Sequence, residues 1–318
     1  MISVHILLII LGLVGLWVSS GFIIAGVERF SKSVKISRFA VSFLLLGILT
    51  SIPEIAIGIN SVIKGTPGIF VGNLIGASFV VLLFVIPLLA VFNRGIRLTQ
   101  HLQQKRLLEF LLIISAPLLI IYDGSINYYE AFLLIFLYIV FAYSLESEES
   151  LKHSVSEQLY SQSKSLKSFI IIIIGALLIF VSSHVLTREV EYFSELLHVS
   201  SFMISMLFLS LGSNLPEIVI AIRSISQKKL DIAFGDYVGS AAANTLLFGI
   251  FTIFSGPFVL PTANFKIISL IMLIGYALFF ICARSKRTIS TREGLLLMLV
   301  FFIFIFFQAA QIIHISTL

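Results

Sequence analysis

Thr50-Ser-Ile-Pro-Glu54, followed by Gly72-Asn-Leu-Ile-Gly76, is written a second time as Ser213-Asn-Leu-Pro-Glu217, followed by Gly235-Asp-Tyr-Val-Gly239. The acid stands 18 residues before the first glycine in both copies (54 to 72 and 217 to 235), and the glycines stand 4 apart in both. Pro53/Pro216, Ile55/Ile218, Ile57/Ile220, Ile59/Ile222, Ser61/Ser224 and Ile69/Ile232 coincide at the same offset. Shared isoleucines mean little in an apolar chain. A Pro-Glu pair and two glycines at matched spacing mark a duplication.

The chain around these motifs has 318 residues, 58% of them hydrophobic and only 12% charged, with a mean hydropathy of +1.10. Soluble domains carry about a quarter charged residues, so a soluble enzyme is excluded. A disordered chain is excluded too, because it needs low hydrophobicity and high net charge. At about 20 apolar residues per crossing, membrane helices are read at 3–26, 37–63, 68–92, 107–122, 127–144, 168–186, 200–225, 232–255, 265–283 and 294–313. The first is read as a membrane helix rather than a cleaved signal peptide, since neither early basic residues nor a small-residue cleavage site accompanies it.

Loop charges test this layout. Of the 21 Lys and Arg residues, the odd-numbered loops hold 18 and the even-numbered loops hold three, Lys64, Arg188 and Lys266. The positive-inside rule then places both termini outside the cytoplasm, in a multi-pass protein expected in the plasma membrane. It also explains the net charge of +5 without nucleic acid. The outer side is acidic, with Asp123, Glu130, Glu189, Glu191 and Glu195. A single cysteine, Cys282, excludes an internal disulfide and a thiolate metal cluster. Residues 145–167, rich in Ser, Glu and Lys, read as a cytoplasmic linker between a first five-helix repeat (1–144) and a second (168–318). Five spans is an odd number, so the second copy enters the membrane from the opposite side. The fold class is an all-α polytopic membrane protein, ten transmembrane helices forming two inverted five-helix repeats. Secondary transporters use this plan with the substrate site at midplane.

Glu54 and Glu217 lie equally deep in their spans, with no basic residue near them in sequence. A charge at the bilayer centre costs about 2.5–3.5 kcal/mol on insertion scales. The two acids must therefore be protonated, face water or hold a cation, and a divalent ion would neutralise both. Pro53 and Pro216 remove a backbone donor and clash with the carbonyl four residues back, which is expected to free carbonyls near Leu49 and Gly212. Thr50, Ser51, Ser213 and Asn214 add oxygens on the same turns, and Ser240 and Asn244 lie one turn apart on one helix face. Asn73 and Ser78 sit on the third helix and Asp236 on the eighth, where a cap or water-facing role competes with binding. Gly72, Gly76, Gly235 and Gly239 let helices approach closely. The donors are all oxygens, with no clustered Cys or His, which selects hard cations such as Ca²⁺, Na⁺ or Mg²⁺. The candidate metal-binding set is thus Glu54, Glu217, Thr50, Ser51, Ser213, Asn214, Ser240 and Asn244. No cofactor is implied. His5, His101, His153, His184, His198 and His314 fall near loops or termini and are expected at the interface.

In these residues the chain resembles the sodium/calcium exchangers of the cation/calcium antiporter superfamily. That family's repeats carry a Gly-Thr-Ser-Leu-Pro-Glu-like motif and a Gly-Asn-x-x-Gly-Ser-Asn-like motif. They read here as Leu49-Thr-Ser-Ile-Pro-Glu54 with Gly72-Asn-Leu-Ile-Gly-Ala-Ser78, and Gly212-Ser-Asn-Leu-Pro-Glu217 with Gly235-Asp-Tyr-Val-Gly-Ser-Ala241. The resemblance implies Ca²⁺ on Glu54 and Glu217, helped by Thr50, Ser51, Ser213, Asn214 and Ser240, with Na⁺ or H⁺ as the exchanged ion. It also implies a sliding of the first and sixth helices that exposes the site to each side in turn. The chain departs from the pattern at Ala77, where a serine is usual, and at Val81, where Asn or Asp is frequent. Asn244, the second-half counterpart of Val81, is often acidic in relatives. The alternatives are a Ca²⁺(cation)/H⁺ exchanger without Na⁺ coupling and, behind it, a cation channel lined by the same acids; for an enzyme, no nucleophile stands beside a base and no His-Glu-x-x-His motif is present. The expected partners are the transported ions and the lipid bilayer, and a monomer suffices for this plan.

Overall fold

The computed structural model describes residues 2–31, 50–97, 104–146, 162–215, 217–218, 221, 230–260, 265–284 and 288–316. The helices are α1 (Ile2–Ser31), α2 (Ile52–Lys64), α3 (Pro67–Phe92), α4 (Gln104–Ile120), α5 (Tyr128–Glu146), α6 (Gln162–Leu196), α7 (Ser201–Ser213), α8 (Leu230–Ser255), α9 (Phe265–Arg284) and α10 (Thr291–Ser316). Among the described residues five helical stretches are long and apolar enough to cross a membrane: Pro67–Phe92, Ile173–Leu196, Tyr237–Ser255, Phe265–Arg284 and Thr291–Ile312. α1, α5 and α7 contain shorter apolar stretches. Residues 37–49 of the expected second span and most of 216–225 of the seventh lie outside the described residues.

Large apolar side chains cover the outside, and a smaller set of polar side chains is buried within an apolar core. Phe132, Phe136, Leu177, Val181, Phe302 and Phe306 are exposed on the outer helices, as lipid contact requires. At the centre, every residue of α3 from Gly68 to Leu83 is buried. This helix includes a π-helical turn at Val81–Val85. Pro87 follows, and having no N–H it cannot bond the carbonyl of Leu83; the widened turn just before it absorbs the misfit.

Helix directions express the inversion. His5, Gly12 and Gly15 of α1 meet Glu189, Leu186 and Ser182 of α6 in that order, so these two counterpart helices run antiparallel. α3 and α8 do the same: Phe70 packs on Phe248 and Phe251, while Ser78 meets Ala241. α3 and α7 run in the same direction, with Gly68, Gly72 and Gly76 facing Phe202, Met206 and Ser210 in succession. A Cβ on Gly72 would strike the Phe202 carbonyl oxygen. The expected close approach at Gly72 and Gly76 is therefore present. The surroundings of Gly235 lie outside the described residues.

Two short antiparallel ladders join loops that are far apart in sequence. β1 (Ile96–Arg97) pairs with β4 (Thr288–Ile289), and β2 (Ser125–Ile126) pairs with β3 (Phe258–Val259). Adding the offset that carries Glu54 to Glu217 (217 − 54 = 163) maps β2 onto β4 and β1 onto the residues overlapping β3. The two ladders are thus exchanged by the pseudo-symmetry. They lie at opposite ends of α4, because β1 precedes that helix and β2 follows it. Each joins loops that the charge count assigns to one membrane face: third with ninth, fourth with eighth.

Hydropathy located the apolar segments but underestimated some helices. α6 continues to Leu196, ten residues past its expected end at 186. Hydropathy reads where the apolar run stops; the helix goes on because Arg and Glu are good helix formers and Glu189 and Glu191 are paired with His5 and Lys64. Residues 162–167, expected in the linker, already belong to α6, and 147–161 lie outside the described residues.

Candidate cation site

The two motifs adopt the same broken turn. Thr50 is helical, Ser51 leaves the helix with φ −77° and ψ 6°, and the helix resumes at Ile52. In the second copy Ser213 is helical, Asn214 leaves it with φ −85° and ψ 10°, and helix resumes at Leu215. The bond across each break is repeated as well: the Ile55 N–H donates to the Ser51 carbonyl at 2.9 Å, and the Ile218 N–H to the Asn214 carbonyl at 3.1 Å. Ser51 and Asn214 are counterparts at the repeat offset. Pro53 stands in the first turn after the break; Pro216 lies outside the described residues.

A break of this kind creates two half-helices. The N-terminal end of the resumed half carries partial positive charge and the C-terminal end of the preceding half presents carbonyls. Glu54 falls in the first turn of α2, at the helix end that carries partial positive charge. The same end carbonyls suit a cation. Gly212 was expected to offer one of them; its oxygen accepts the Asn214 N–H, which occupies one of its two lone pairs. Leu49 lies outside the described residues.

All eight candidate ligands, Thr50, Ser51, Glu54, Ser213, Asn214, Glu217, Ser240 and Asn244, are buried. The structure brings members of the two halves together. The Ser213 hydroxyl, one turn before Glu217, sits against the Glu54 carboxyl, and it donates to Asn73 Oδ1 of α3 at 3.2 Å. The Asn244 amide of α8 donates to Ser78 Oγ of α3 at 3.2 Å. The Tyr237 hydroxyl of α8 donates to the Glu217 carbonyl oxygen at 3.1 Å. Two candidates are turned toward their own backbone: the Asn214 amide donates to the Ser210 carbonyl at 2.6 Å and Ser240 Oγ to the Tyr237 carbonyl at 3.3 Å. Their remaining oxygen lone pairs are still able to meet an ion.

Buried polar atoms lacking a hydrogen bond include Glu54 Oε2, Asn73 Nδ2 and Asn244 Oδ1. A buried orphan costs about 1–3 kcal/mol, and two of these three are oxygens. Oxygens left over in a dry interior are what a hard cation replaces water with. Among the described residues no three His, Cys, Asp or Glu side chains cluster. The candidate donors are accordingly carboxyl, hydroxyl and amide oxygens of the residues named above.

Sequence reading missed Asn73, Ser78 and Tyr237 as bracing partners, because which side chain a buried oxygen meets is decided by tertiary packing. It also missed Asn60, two turns beyond Glu54 on α2. Asn60 donates to the Ala56 carbonyl at 2.9 Å and to Ser183 Oγ at 3.1 Å, and its Oδ1 lies 2.9 Å from His184 Nδ1. Lys64 reaches Glu191 at 2.7 Å, a second link from α2 to α6. Of the histidines expected at the interface, His5 pairs with Glu189 at 2.7 Å and stacks on Tyr192. His101 and His153 lie outside the described residues, as do the side chains of His314 and Asp236.

The profile of the family described as sodium/calcium exchanger protein matches residues 4–145 and 167–310, one match for each half. A sodium/calcium exchanger of Methanosarcina acetivorans, MaX1, is 22% identical over 294 residues, covering 78% of this chain and 82% of its own. A membrane protein of Methanocaldococcus jannaschii is 24% identical over 298 residues, covering 92% and 94%. Among solved structures, the sodium–calcium exchanger NCX_Mj soaked with 2.5 mM Na⁺ and 10 mM Sr²⁺ superposes with a TM-score of 0.68 at 21% identity, covering 95% of this chain and 98% of that one.

Proposed function

The chain belongs to the sodium/calcium exchanger family, and we propose that it exchanges Ca²⁺ for Na⁺ or H⁺ by alternating access to one midplane site built on Glu54 and Glu217. The carrying observation is the pair of matched breaks at Ser51 and Asn214, each followed three residues later by a buried acid, with Ser213 of one repeat against Glu54 of the other. Two carboxylates balance one Ca²⁺. Thr50, Ser51, Ser213, Asn214, Ser240 and Asn244 supply neutral oxygens toward the 6–8 that Ca²⁺ takes. Competition of Ca²⁺ and the counter-ion for the same acids keeps them from travelling together, which is the condition for exchange.

Protons as the counter-ion are favoured by an asymmetry between the halves. Ser240 and Asn244 of α8 carry oxygens where their counterparts in α3, Ala77 and Val81, are hydrocarbon and fully buried. Fewer neutral oxygens remain to coordinate a bound Na⁺, whereas a proton needs only the carboxylates. We further propose ten spans with both termini outside the cytoplasm, from the loop charges.

The test is uptake of radioactive Ca²⁺ into proteoliposomes under an imposed Na⁺ gradient and, separately, an imposed pH gradient. Uptake driven by either gradient is expected, and it should be abolished in Glu54→Gln and in Glu217→Gln. Gradient-driven uptake persisting in either variant would sink the two-glutamate site. Ca²⁺ flux that needs no counter-gradient and reaches single-channel currents would point to the channel instead.

A further inference from the structure

Resting on that site, we propose that Ser78 of α3 is a positioning residue: it holds the Asn244 side chain so that the amide oxygen, not the amide nitrogen, is presented to the cation. An asparagine amide has a donor end and an acceptor end of nearly equal size, and only the oxygen binds a cation. Turned the wrong way, Asn244 would offer two N–H groups to Ca²⁺ and repel it. Its orientation must therefore be set by something outside the site.

Ser78 supplies this. Its Oγ accepts the Asn244 Nδ2 donor at 3.2 Å, while its own proton is committed to backbone carbonyls, Leu74 at 3.2 Å or Ala241 at 3.4 Å. With the proton directed there, Ser78 faces Asn244 as an acceptor only. An acceptor can pair with the nitrogen end of the amide and not with the oxygen end. Asn244 Oδ1 is left buried and without a hydrogen bond, on the α8 face that also carries Ser240. Both side chains are buried, at 4% exposure for Ser78 and 3% for Asn244, so water does not compete. The counterpart of Ser78 in the second half is Ala241 and that of Asn244 is Val81. The brace therefore exists on one side of the pseudo-symmetry only, where the neutral amide ligand is.

The test is equilibrium Ca²⁺ binding to the purified full chain by titration calorimetry. Loss of a supporting hydrogen bond behind a metal ligand lowers affinity about 10- to 100-fold, and Ser78→Ala is expected to weaken Ca²⁺ binding about tenfold. A carboxylate presents oxygen in either orientation, so the same Ser78→Ala change made in an Asn244→Asp background should add no further loss. Wild-type affinity in Ser78→Ala would overturn the proposal. So would an equal tenfold loss in the Asn244→Asp background, because Ser78 would then act by packing. Failure of the wild-type chain to bind Ca²⁺ at all would instead refute the site itself, and the positioning role with it.

Discussion

Gly76→Ala turns the closeness of α3 and α7 into a measurable quantity. A Cβ added at this position would lie 2.5 Å from the Met206 carbonyl oxygen, 2.6 Å from Ser210 Cβ and 2.7 Å from Ser210 Oγ. The first of these is backbone inside a packed helix and has no rotamer to move to. Ordinary contact begins near 3.4 Å, so α7 must retreat by about 0.9 Å (3.4 − 2.5). Ser213 lies one turn beyond Ser210 on the same helix. Carried along, its 3.2 Å bond to Asn73 would lengthen toward about 4.1 Å, which is no hydrogen bond. Overpacking of this kind costs about 1–3 kcal/mol, and the misplaced Ser213 would further weaken Ca²⁺ binding about tenfold. The readouts are thermal melting of the purified protein in detergent and calorimetric Ca²⁺ affinity. Gly21→Ala is the control, because nothing lies within 4 Å of a Cβ there, and it should match wild type in both. Wild-type melting and affinity in Gly76→Ala would refute the claim that glycine at this position sets the helix spacing on which the site depends.

Gly15→Val would drive a side chain into Ser182 across the α1–α6 contact. It should slow gradient-driven uptake while leaving equilibrium Ca²⁺ affinity unchanged, since no candidate ligand lies on either helix; unchanged uptake would contradict the assignment of these two helices as the moving pair. For Lys64 and Glu191, 2.7 Å apart but with side chains 20% and 27% exposed, a double-mutant cycle on melting should return only about 0.2–1 kcal/mol, falling with salt. A larger, salt-insensitive coupling would mean that the pair is shielded from water.

Much of the plan was legible because the decisive residues are chemically expensive in a membrane. An acid in oil, a proline inside a helix and a glycine in a buried helix each need a reason, and finding all three twice at one offset exposed the duplication before any coordinates. The prolines pointed to irregular backbone at these motifs, but the breaks themselves, at Ser51 and Asn214, were seen only in the structure. The ladders were not legible: two-residue strands such as Ile96–Arg97 and Thr288–Ile289 have no periodicity, and their pairing is set by where the helices end. The π-helical turns at Val81–Val85 and Ser205–Leu209 were hidden for a similar reason, since a widened turn leaves no mark in a largely apolar run. The bracing by Asn73 and Ser78 was out of reach because an isolated polar residue in a membrane helix looks the same whether it bonds its own backbone or a neighbouring helix. Asn60 shows both at once, bonding the Ala56 carbonyl and Ser183.

The two ladders act like rivets at either end of α4, fastening the loops among α3 to α5 to those among α8 to α10. A frame fastened at its top and its bottom resists shear along its length, so the walls around the acids cannot easily slip past one another. α1 and α6 stand outside those fastenings and meet each other along a seam where Leu186 and Ser182 of α6 fill the notches left by Gly12 and Gly15. The bonds that tie this outer pair to the helix carrying Glu54 are between side chains, Asn60 to Ser183 and Lys64 to Glu191, and such bonds part and re-form far more readily than a strand ladder.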